Sequence, residues 1–240
     1  MGLPRVTSWP KRVELISPAR SSGLIVRHDL TIEGAVEVAG LNVTSLGRTV
    51  VDLGRTEDVR DAVAAADHAL HHGLCTRAAL EAEFDCLDPG VPGRAMARLV
   101  LDLADGRSMS VGESLSRVQM FLQNLPRPQL QVKVVDGEGV VGYGDFGWRG
   151  VVGEFDGRMK YRVPEGADPR VVQEVLWREK RREDRIRGAG NKVARWVWTD
   201  ATAPTGMLRL LGAQGIRPAA RSTWFDDDAT AWHPRRPDAA

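Results

Sequence analysis

Residues 144–157 read GDFGWRGVVGEFDG and contain two short apolar segments joined by a tight Arg149-Gly150 turn. Side chains alternate between the two faces of a strand, so Glu154 and Asp156 are predicted to point to one face. Asp145, on the neighbouring strand, is predicted to reach the same place. Carboxylates held this close repel one another unless a positive group lies between them, and a hard cation such as Mg²⁺ is the usual one. The stretch therefore predicts a strand pair that ends in an acidic cluster.

The residues before this stretch predict a helix and a β-hairpin. Ser110 has a glutamate three residues later, Glu113, which is the spacing of a capping box at the start of a helix. Residues 130–134 alternate apolar with polar side chains, as a half-buried strand does. The sequence Asp-Gly-Glu-Gly at 136–139 predicts the turn that returns the chain to Asp145.

The residues after the acidic cluster predict one more strand between two helices. A highly charged helix ends near Arg187, a strand covers 192–198, and a final helix covers 207–211. The order is helix, three antiparallel strands, helix, strand and helix, which is an α+β arrangement. The polar tail after Arg217 is predicted to be frayed.

The first half of the chain predicts a small accessory domain of short strands followed by helices, with N-caps at Ser45 and Thr76. The predicted organisation is therefore an accessory domain over 1–109, a domain that carries the acidic cluster over 110–215, and a polar tail over 216–240.

Composition places the chain among ordinary globular proteins. It has 240 residues, 42% hydrophobic and 27% charged, with a formal net charge of +1. That charge gives no global electrostatic case for nucleic-acid binding. There is no apolar run of membrane-spanning length and no signal-peptide pattern, so we expect a cytoplasmic protein without a membrane partner. Cys75 and Cys86 lack metal-site spacing and are predicted to be idle thiols.

Local charge is more informative than the total. The charged helix contains the basic residues that could contact phosphates, namely Lys180, Arg181, Arg182, Arg185 and Arg187. The alternative is a solvated helix face on which residues three and four apart form ion pairs. Loss of affinity on raising the salt concentration would identify phosphate contacts.

Two further patterns have ordinary structural explanations. His68 and His72 have the spacing of a zinc pair on a helix, but no third ligand accompanies them in the sequence. Trp196 and Trp198, predicted on one face of a strand, are more typical of core packing than of base stacking.

The segment from Ser110 to about Leu211 resembles the restriction-endonuclease-like superfamily with its PD-(D/E)XK signature, in particular the branch related to very-short-patch-repair endonucleases. The resemblance implies that Glu113 is the carboxylate of the first helix, Asp145 the strand aspartate that bridges metal, and Glu154 the first acid of the (D/E)XK element. It therefore implies a metal set of Asp145, Glu154 and Glu113. A capping role explains Glu113 equally well.

Asp156 stands where most members of the superfamily carry lysine. In the repair-related branch an E-x-D-G element followed by histidine or lysine is common, and Glu154, Asp156 and Lys160 resemble that variant. The helix with Glu179, Arg182 and its charged neighbours resembles the helix that braces the site in this branch.

Residues 40–53 resemble the middle region of actinobacterial AbiEi-type antitoxins or transcriptional regulators. Such proteins usually begin with a winged-helix DNA-binding unit, which residues 1–30 do not show.

The resemblance leads to two functional hypotheses. The first is a DNA endonuclease that uses Mg²⁺ or Mn²⁺ to hydrolyse phosphodiester bonds in repair or defence, with Lys160 as an electrophilic helper and Asp156 as a further ligand or a base. The second is a non-catalytic AbiEi-type antitoxin or regulator that binds DNA and a cognate toxin or other protein. A degenerate scaffold is the third alternative. Oligomeric state is left open.

Overall fold

The chain is an α+β protein that divides into two compact units, Met1–Leu115 and Ser116–Ala240. The division falls inside the helix that Ser110 caps. The structure is a computed structural model, and it describes residues 2–9, 14–16, 25–27, 34–157 and 168–226. In these residues there are eight helices and three sheets. Within the same ranges, no helix is long and apolar enough to cross a membrane.

The first unit contains two pairs of short strands. The strands are β1 (Glu14–Ile16) parallel to β2 (Ile25–Arg27), and β3 (Val36–Val38) antiparallel to β4 (Leu41–Val43). The turn between β3 and β4 consists of Ala39 and Gly40, both with positive φ, 52° and 79°. A two-residue turn in which both residues have positive φ matches the right-handed twist of the two strands that it joins.

Four helices follow in the first unit: α1 (Leu46–Thr56), α2 (Val59–His71), α3 (Arg77–Asp85) and α4 (Arg94–Leu103). The hydroxyl groups of Ser45 and Thr76 accept hydrogen bonds from backbone N–H groups in the first turns of α1 and α3, both at 3.1 Å. Both predicted N-caps are therefore confirmed. The helices bury small and branched apolar side chains such as Val50, Val63 and Leu101. Cys75 and Cys86 form no disulfide.

The second unit is built around a four-stranded sheet. Helix α5 (Val111–Leu122) is followed by β5 (Gln129–Asp136), β6 (Gly139–Trp148), β7 (Val151–Phe155), α6 (Pro169–Gly188), β8 (Lys192–Trp196), α7 (Trp198–Thr202) and α8 (Gly206–Ala213). The strand order is β5-β6-β7-β8, with β8 parallel to β7 and the other pairs antiparallel. The predicted order of helices and strands is confirmed, with α7 as an addition.

One face of the sheet packs against the second half of α6. Its buried cluster consists of Val134, Val152, Ile186 and Val193. Because side chains alternate along a strand, Glu154 and Arg195 project to the same face as Val152 and Val193. This hydrophobic cluster fixes α6 over the sheet and so brings the charged residues of α6 to the end of β7.

The aromatic rings of Trp148 and Trp196 pack over Gly153, on the opposite side from Val152. A side chain at Gly153 would meet the Trp196 ring at 2.7 Å, which no real contact allows, so this position requires glycine. Trp196 is buried, and its Nε1–H donates to the Ser116 hydroxyl at 2.8 Å. The prediction that Trp196 is a core residue is confirmed.

The last predicted strand is shorter than expected. It ends at Trp196, and Trp198 is the first residue of α7, where its ring contacts Phe155 edge-on at 6.2 Å. The carboxylate of Asp200 accepts a hydrogen bond from the Val197 N–H at 3.2 Å, which stabilises the turn into the helix. The placement of both tryptophans on one strand face was therefore wrong.

The residues after Arg217 do not fray where the structure describes them, up to Asp226. The Ala219 N–H donates to the Asn124 carbonyl at 2.9 Å. Trp224 is only 2% exposed, and its Nε1–H donates to the Leu125 carbonyl at 2.7 Å. The prediction of a frayed tail was therefore wrong for the residues up to Asp226. It rested on the polar residues around Trp224 and did not recognise that this tryptophan is buried.

Candidate active site

Three neighbouring strands place Asp145, Glu154 and Arg195 side by side at one end of the sheet. The antiparallel register of β6 and β7 puts Asp145 next to Glu154, and the parallel register of β7 and β8 pairs Glu154 with Arg195. Oδ2 of Asp145 accepts a hydrogen bond from the backbone N–H of Phe155 at 2.8 Å. The structure therefore brings Asp145 to the strand of Glu154, as the sequence predicts.

The side chain of Glu154 is 9% exposed and bonds to two arginines. Its Oε1 accepts from Nη2 of Arg182, and its Oε2 accepts from Nη2 and Nε of Arg195 at 2.6 and 3.2 Å. Glu179 completes the arrangement, accepting from Nε of Arg182 at 3.2 Å and from Nη2 of Arg195 at 2.8 Å. We call these four residues the ion-pair network. The guanidinium groups of Arg182 and Arg195 are therefore positive groups that contact Glu154.

The ion-pair network favours the charged forms of Glu179 and Arg195. For Glu179, burial works to raise the pKa, but the hydrogen bonds and charges of Arg182 and Arg195 outweigh it and lower the pKa. For Arg195, burial works to lower the pKa, while Glu154 and Glu179 raise it above its ordinary value. Both groups are therefore held ionised near neutral pH.

A cavity of about 190 Å³ lies at this end of the sheet, open to solvent. It is lined by the ion-pair network together with Tyr143, Asp145, Phe155 and Asp156. The described residues of the lining carry four carboxylates and two guanidinium groups, which is a formal surplus of two negative charges among them. This surplus makes the cavity more favourable for a cation than for an anion alone.

Two of the predicted site residues follow the end of β7. Asp156 lines the cavity, and its backbone N–H donates to the Trp196 carbonyl at 2.8 Å, which holds the chain beyond the strand. Lys160 lies outside the described residues, so its predicted role stays a prediction.

Glu113 forms the capping box that its spacing predicts. Its Oε2 accepts from the Met109 N–H at 2.9 Å, and its Oε1 accepts from the Ser110 hydroxyl at 2.8 Å, while the Ser110 oxygen accepts from the Glu113 N–H at 3.2 Å. Glu113 belongs to the first unit. Both of its carboxylate oxygens are thus engaged in starting α5, and its predicted metal role stays a prediction.

Substitutions at the capping box separate these two roles of Glu113. Glu113→Gln retains a side chain that fits a capping box, so we expect it to change DNA cleavage by less than about twofold. Ser110→Ala removes one donor and one acceptor and is expected to lower the free energy of unfolding by about 1 kcal/mol. The measurements are plasmid cleavage and chemical unfolding. A loss of cleavage in Glu113→Gln without a loss of stability would contradict the capping role and favour a metal ligand.

The predicted basic face of α6 is largely taken up by ion pairs. Arg185 makes two bonds of 2.7 Å to Asp136, which lower the pKa of that carboxyl to about 2, and Arg187 bonds Glu183 at 2.8 and 3.1 Å. Lys180 lies over the Trp177 ring at 5.3 Å, and Arg181 is exposed. Arg182 projects into the cavity instead. The interpretation of α6 as an ion-paired surface helix holds for Arg185 and Arg187, and the contact of all five residues with DNA stays a prediction.

The histidines of α2 form a small cluster outside this site. The rings of His68 and His72 are 4.3 Å apart and those of His71 and His72 are 4.9 Å apart. Nδ1 of His71 lies 2.9 Å from the Gly106 carbonyl. Burial, with the charges of His72 and His71 as further causes, lowers the pKa of His68. In the described ranges no three His, Cys, Asp or Glu side chains form a group that could hold a metal ion.

Asp145 and Asp156 are the residues of this cavity that could hold Mg²⁺ in the way this ion is usually bound. Mg²⁺ keeps several waters and needs only one or two protein carboxylates, with substrate phosphates as further ligands. Asp145 and Asp156 supply hard oxygen donors, and the surplus of negative charge favours a divalent cation. Glu154 could contribute only by giving up a bond to Arg182 or Arg195.

Arg195 and Tyr143 line the cavity but were not identified from the sequence. Arg195 lies between Ala194 and Trp196 in a strand that is otherwise largely apolar. A charged residue in such a strand is a sequence signal that could have identified it. Its partner could not be identified without knowing that β8 lies beside β7 in parallel. Tyr143 is two residues before Asp145 and therefore shares its face of the strand.

Comparisons with known proteins do not indicate a function for this chain. No family model matches the chain, and no solved structure matches it. Two uncharacterized proteins of Mycobacterium tuberculosis, one from the Oshkosh strain and one from a second strain, are each 33% identical to the chain over 111 residues. The match covers 46% of this chain and 41% of each relative, so the chain spans less than half the length of these relatives.

Proposed function

We propose that the second unit hydrolyses phosphodiester bonds of DNA in a reaction that depends on Mg²⁺ or Mn²⁺, in DNA repair or defence. The observation that carries this proposal is the surplus of negative charge in the open cavity where Asp145, Glu154 and Asp156 converge. A phosphodiester is itself an anion and cannot approach these carboxylates unless a cation compensates them. A divalent cation can bind the carboxylates of the cavity and compensate the charge of the phosphate at the same time.

The residues around the cavity have distinct roles in this proposal. Asp145 and Asp156 would hold the metal ion, which when bound polarises the phosphate and lowers the pKa of a water molecule. The Phe155 N–H fixes one oxygen of Asp145 and so orients its carboxylate. Arg182 and Arg195 supply planar sets of N–H donors of the kind that binds phosphate oxygens in pairs. Lys160 remains a predicted electrophilic helper outside the described residues.

The finer part of the fold prediction, a restriction-endonuclease-like core, belongs to the same proposal. The order α5, β5–β7, α6, β8 and α8 supports it, as does the position of the acids at the adjoining ends of β6 and β7. The parallel pairing of β8 with β7 places Arg195 beside Glu154. Fold alone does not establish chemistry, so the cavity carries the functional argument.

A second candidate function is favoured by one observation. Both oxygens of Glu154 bond to arginines, so in this arrangement the carboxylate is neutralised without a metal ion. This pairing is compatible with a role without metal chemistry, as in a non-catalytic DNA-binding protein such as an AbiEi-type antitoxin or regulator with a cognate toxin as partner. Such a protein binds DNA from its own promoter region and leaves that DNA intact in the presence of Mg²⁺.

Cleavage of supercoiled plasmid by the purified full chain distinguishes the two functions. We expect conversion to nicked or linear DNA with Mg²⁺ or Mn²⁺ and no conversion with EDTA. Single-stranded and linear duplex DNA, assayed in parallel, identify the preferred substrate. If the plasmid stays intact at every metal concentration while promoter DNA is bound, the non-catalytic function replaces the nuclease.

A further inference from the structure

We propose that the exposed ring of Tyr143 is a stacking platform for an unpaired base of DNA, so that the second unit selects DNA that contains unpaired nucleotides. This inference rests on DNA as the substrate of the proposed function, and it names the class of DNA. It requires no metal ion, because the stacking of a base on an aromatic ring is a contact between uncharged groups.

The Tyr143 side chain is both accessible and placed at the cavity. Tyr143 is 58% exposed, and it lines the cavity together with Asp145 and Asp156. Its neighbours in the sequence are Gly142 and Gly144, so no adjacent side chain on β6 shields the ring. A planar group can therefore reach the face of this ring from solvent.

The residue opposite Tyr143 on β5 supplies a positive charge. The antiparallel register pairs Tyr143 with Lys133, and side chains directly opposite each other have Cβ atoms about 4.5–5.5 Å apart. Lys133 is exposed, and β5 lies at the edge of the sheet. Proteins that bind single-stranded nucleic acid combine such groups, because the ring stacks on the base and the basic residue contacts the phosphate.

The charges around the cavity determine which part of a nucleotide can lie beside Tyr143. The carboxylates of the lining repel a phosphate, whereas a base is uncharged at neutral pH and meets no such repulsion. Lys133 attracts the phosphate from the neighbouring strand. The arrangement therefore orients a nucleotide with its base toward Tyr143 and its phosphate toward Lys133.

The position of Tyr143 places the stacked base close to the proposed site of cleavage. A strand rises about 3.3 Å per residue, so Tyr143 and Asp145 are about 7 Å apart along β6. Successive bases of one DNA strand are about 3.4 Å apart, so the stacked base lies about two nucleotides from a phosphate near Asp145. In a duplex the neighbouring bases cover both faces of each base, so only an unpaired or extruded base can stack on the ring.

Binding of fluorescent oligonucleotides to the full chain tests the platform, with anisotropy as the signal and EDTA present so that no DNA is cut. The probes are a single strand, the duplex with its complement, and the same duplex interrupted by one unpaired nucleotide. We expect the wild type to bind the single strand and the interrupted duplex about five- to fiftyfold more tightly than the continuous duplex. Tyr143→Leu retains an apolar side chain but removes the ring, and it should abolish this preference.

Three further variants separate stacking from other roles of the tyrosine. Tyr143→Phe keeps the ring, so it should bind each probe within about twofold of the wild type. Lys133→Gln should weaken all probes alike and reduce the salt dependence by about one ion. Trp9→Leu is the matched control, because Trp9 is an aromatic residue of the first unit that is 70% exposed, and it should change no affinity. Tyr143→Thr, another residue favoured in strands, replaces Tyr143→Leu if the latter unfolds.

Photochemical crosslinking gives a second readout that a merely structural role of Tyr143 would not produce. A 5-iodouracil base at the unpaired position is activated by ultraviolet light and joins to an aromatic ring that is stacked on it. Mass spectrometry of the digested complex should find the crosslink on the peptide that contains Tyr143. The peptide that contains Trp9 should carry none.

Equal affinities of the wild type for all probes, or an undiminished preference in Tyr143→Leu, would overturn the platform. A loss in Tyr143→Leu that is equal for all probes would assign Tyr143 a structural role and overturn it as well, as would the absence of binding to every probe. The outcome is separable from the proposed function, since none of these assays requires cleavage. A preference that depends on Tyr143 in a chain that cuts no DNA would support the platform and reject the nuclease, whereas cleavage with affinities independent of Tyr143 would do the reverse.

Discussion

Asparagine in place of Asp145 is expected to lower the rate of Mg²⁺-dependent DNA cleavage on the order of 10²–10³-fold, about 3–4 kcal/mol of activation free energy. The substitution removes the charge of a carboxylate that faces the cavity, and so weakens the site for a cation. It keeps an oxygen that can accept the hydrogen bond from the Phe155 N–H, now 2.8 Å from Oδ2. The local structure should therefore persist while the chemistry is lost.

Single-turnover cleavage of supercoiled plasmid measures this effect. Glu174→Gln is the control, because Glu174 is an exposed acid on α6 that pairs with Arg178 and does not line the cavity. It should cleave within about twofold of the wild type. Thermal unfolding should show both variants folded. Cleavage by Asp145→Asn at the rate of the control would exclude Asp145 from the reaction.

The largest effect on stability is expected at Trp224, which holds the segment after α8 against the rest of the second unit. Its ring contacts Phe121 edge-on at 5.6 Å, and the Arg127 guanidinium lies 6.0 Å from the ring centre and donates to the Trp224 carbonyl at 3.0 Å. Trp224→Ala leaves a cavity and removes the donor to the Leu125 carbonyl. We expect a loss of about 3–5 kcal/mol in the free energy of unfolding.

Unfolding by guanidinium chloride tests this loss. It is followed by far-UV circular dichroism, because that signal reports helix content and does not depend on the number of tryptophans. Trp177→Ala provides a matched control on α6, where Trp177 is 52% exposed and a change of less than about 0.5 kcal/mol is expected. Trp224→Phe retains most of the packing and should lose about 1–2 kcal/mol through the orphaned carbonyl. Equal stabilities of Trp224→Ala and Trp177→Ala would mean that the segment contributes nothing to the fold.

The features that could be predicted from sequence are those that short-range chemistry determines. Ser45, Thr76 and Ser110 each have a hydroxyl group at the start of an apolar helical pattern, and each caps the predicted helix. The Asp-Gly-Glu-Gly sequence at 136–139 and the Arg149-Gly150 turn likewise fix the antiparallel order of β5, β6 and β7. A few neighbouring residues suffice for these elements.

The features that could not be predicted depend on residues far apart in the chain. Arg195 is 41 positions from Glu154, and only the parallel register of β7 and β8 makes them neighbours. Trp224 is 99 positions from the Leu125 carbonyl to which it donates. In each case a tertiary contact outweighs the local pattern.

The partners of Glu154 bear on how acidic motifs are interpreted. Clustered carboxylates in a sequence suggest a metal ion, yet in the folded chain Arg182 and Arg195 neutralise one of them, Glu154. The remaining reason to propose a cation is that Asp145 and Asp156 supply further carboxylates to the same cavity. These two residues, more than the motif as a whole, therefore decide between the nuclease and the non-catalytic DNA-binding protein.

Calorimetric titration of the full chain with Mn²⁺, in the wild type and in Asp145→Asn, tests the existence of a cation site in this cavity most directly. We expect a saturable binding isotherm for the wild type that disappears in Asp145→Asn and is preserved in the Glu174→Gln control. A wild type that binds no Mn²⁺, or that binds it with the same affinity after Asp145→Asn, would contradict it.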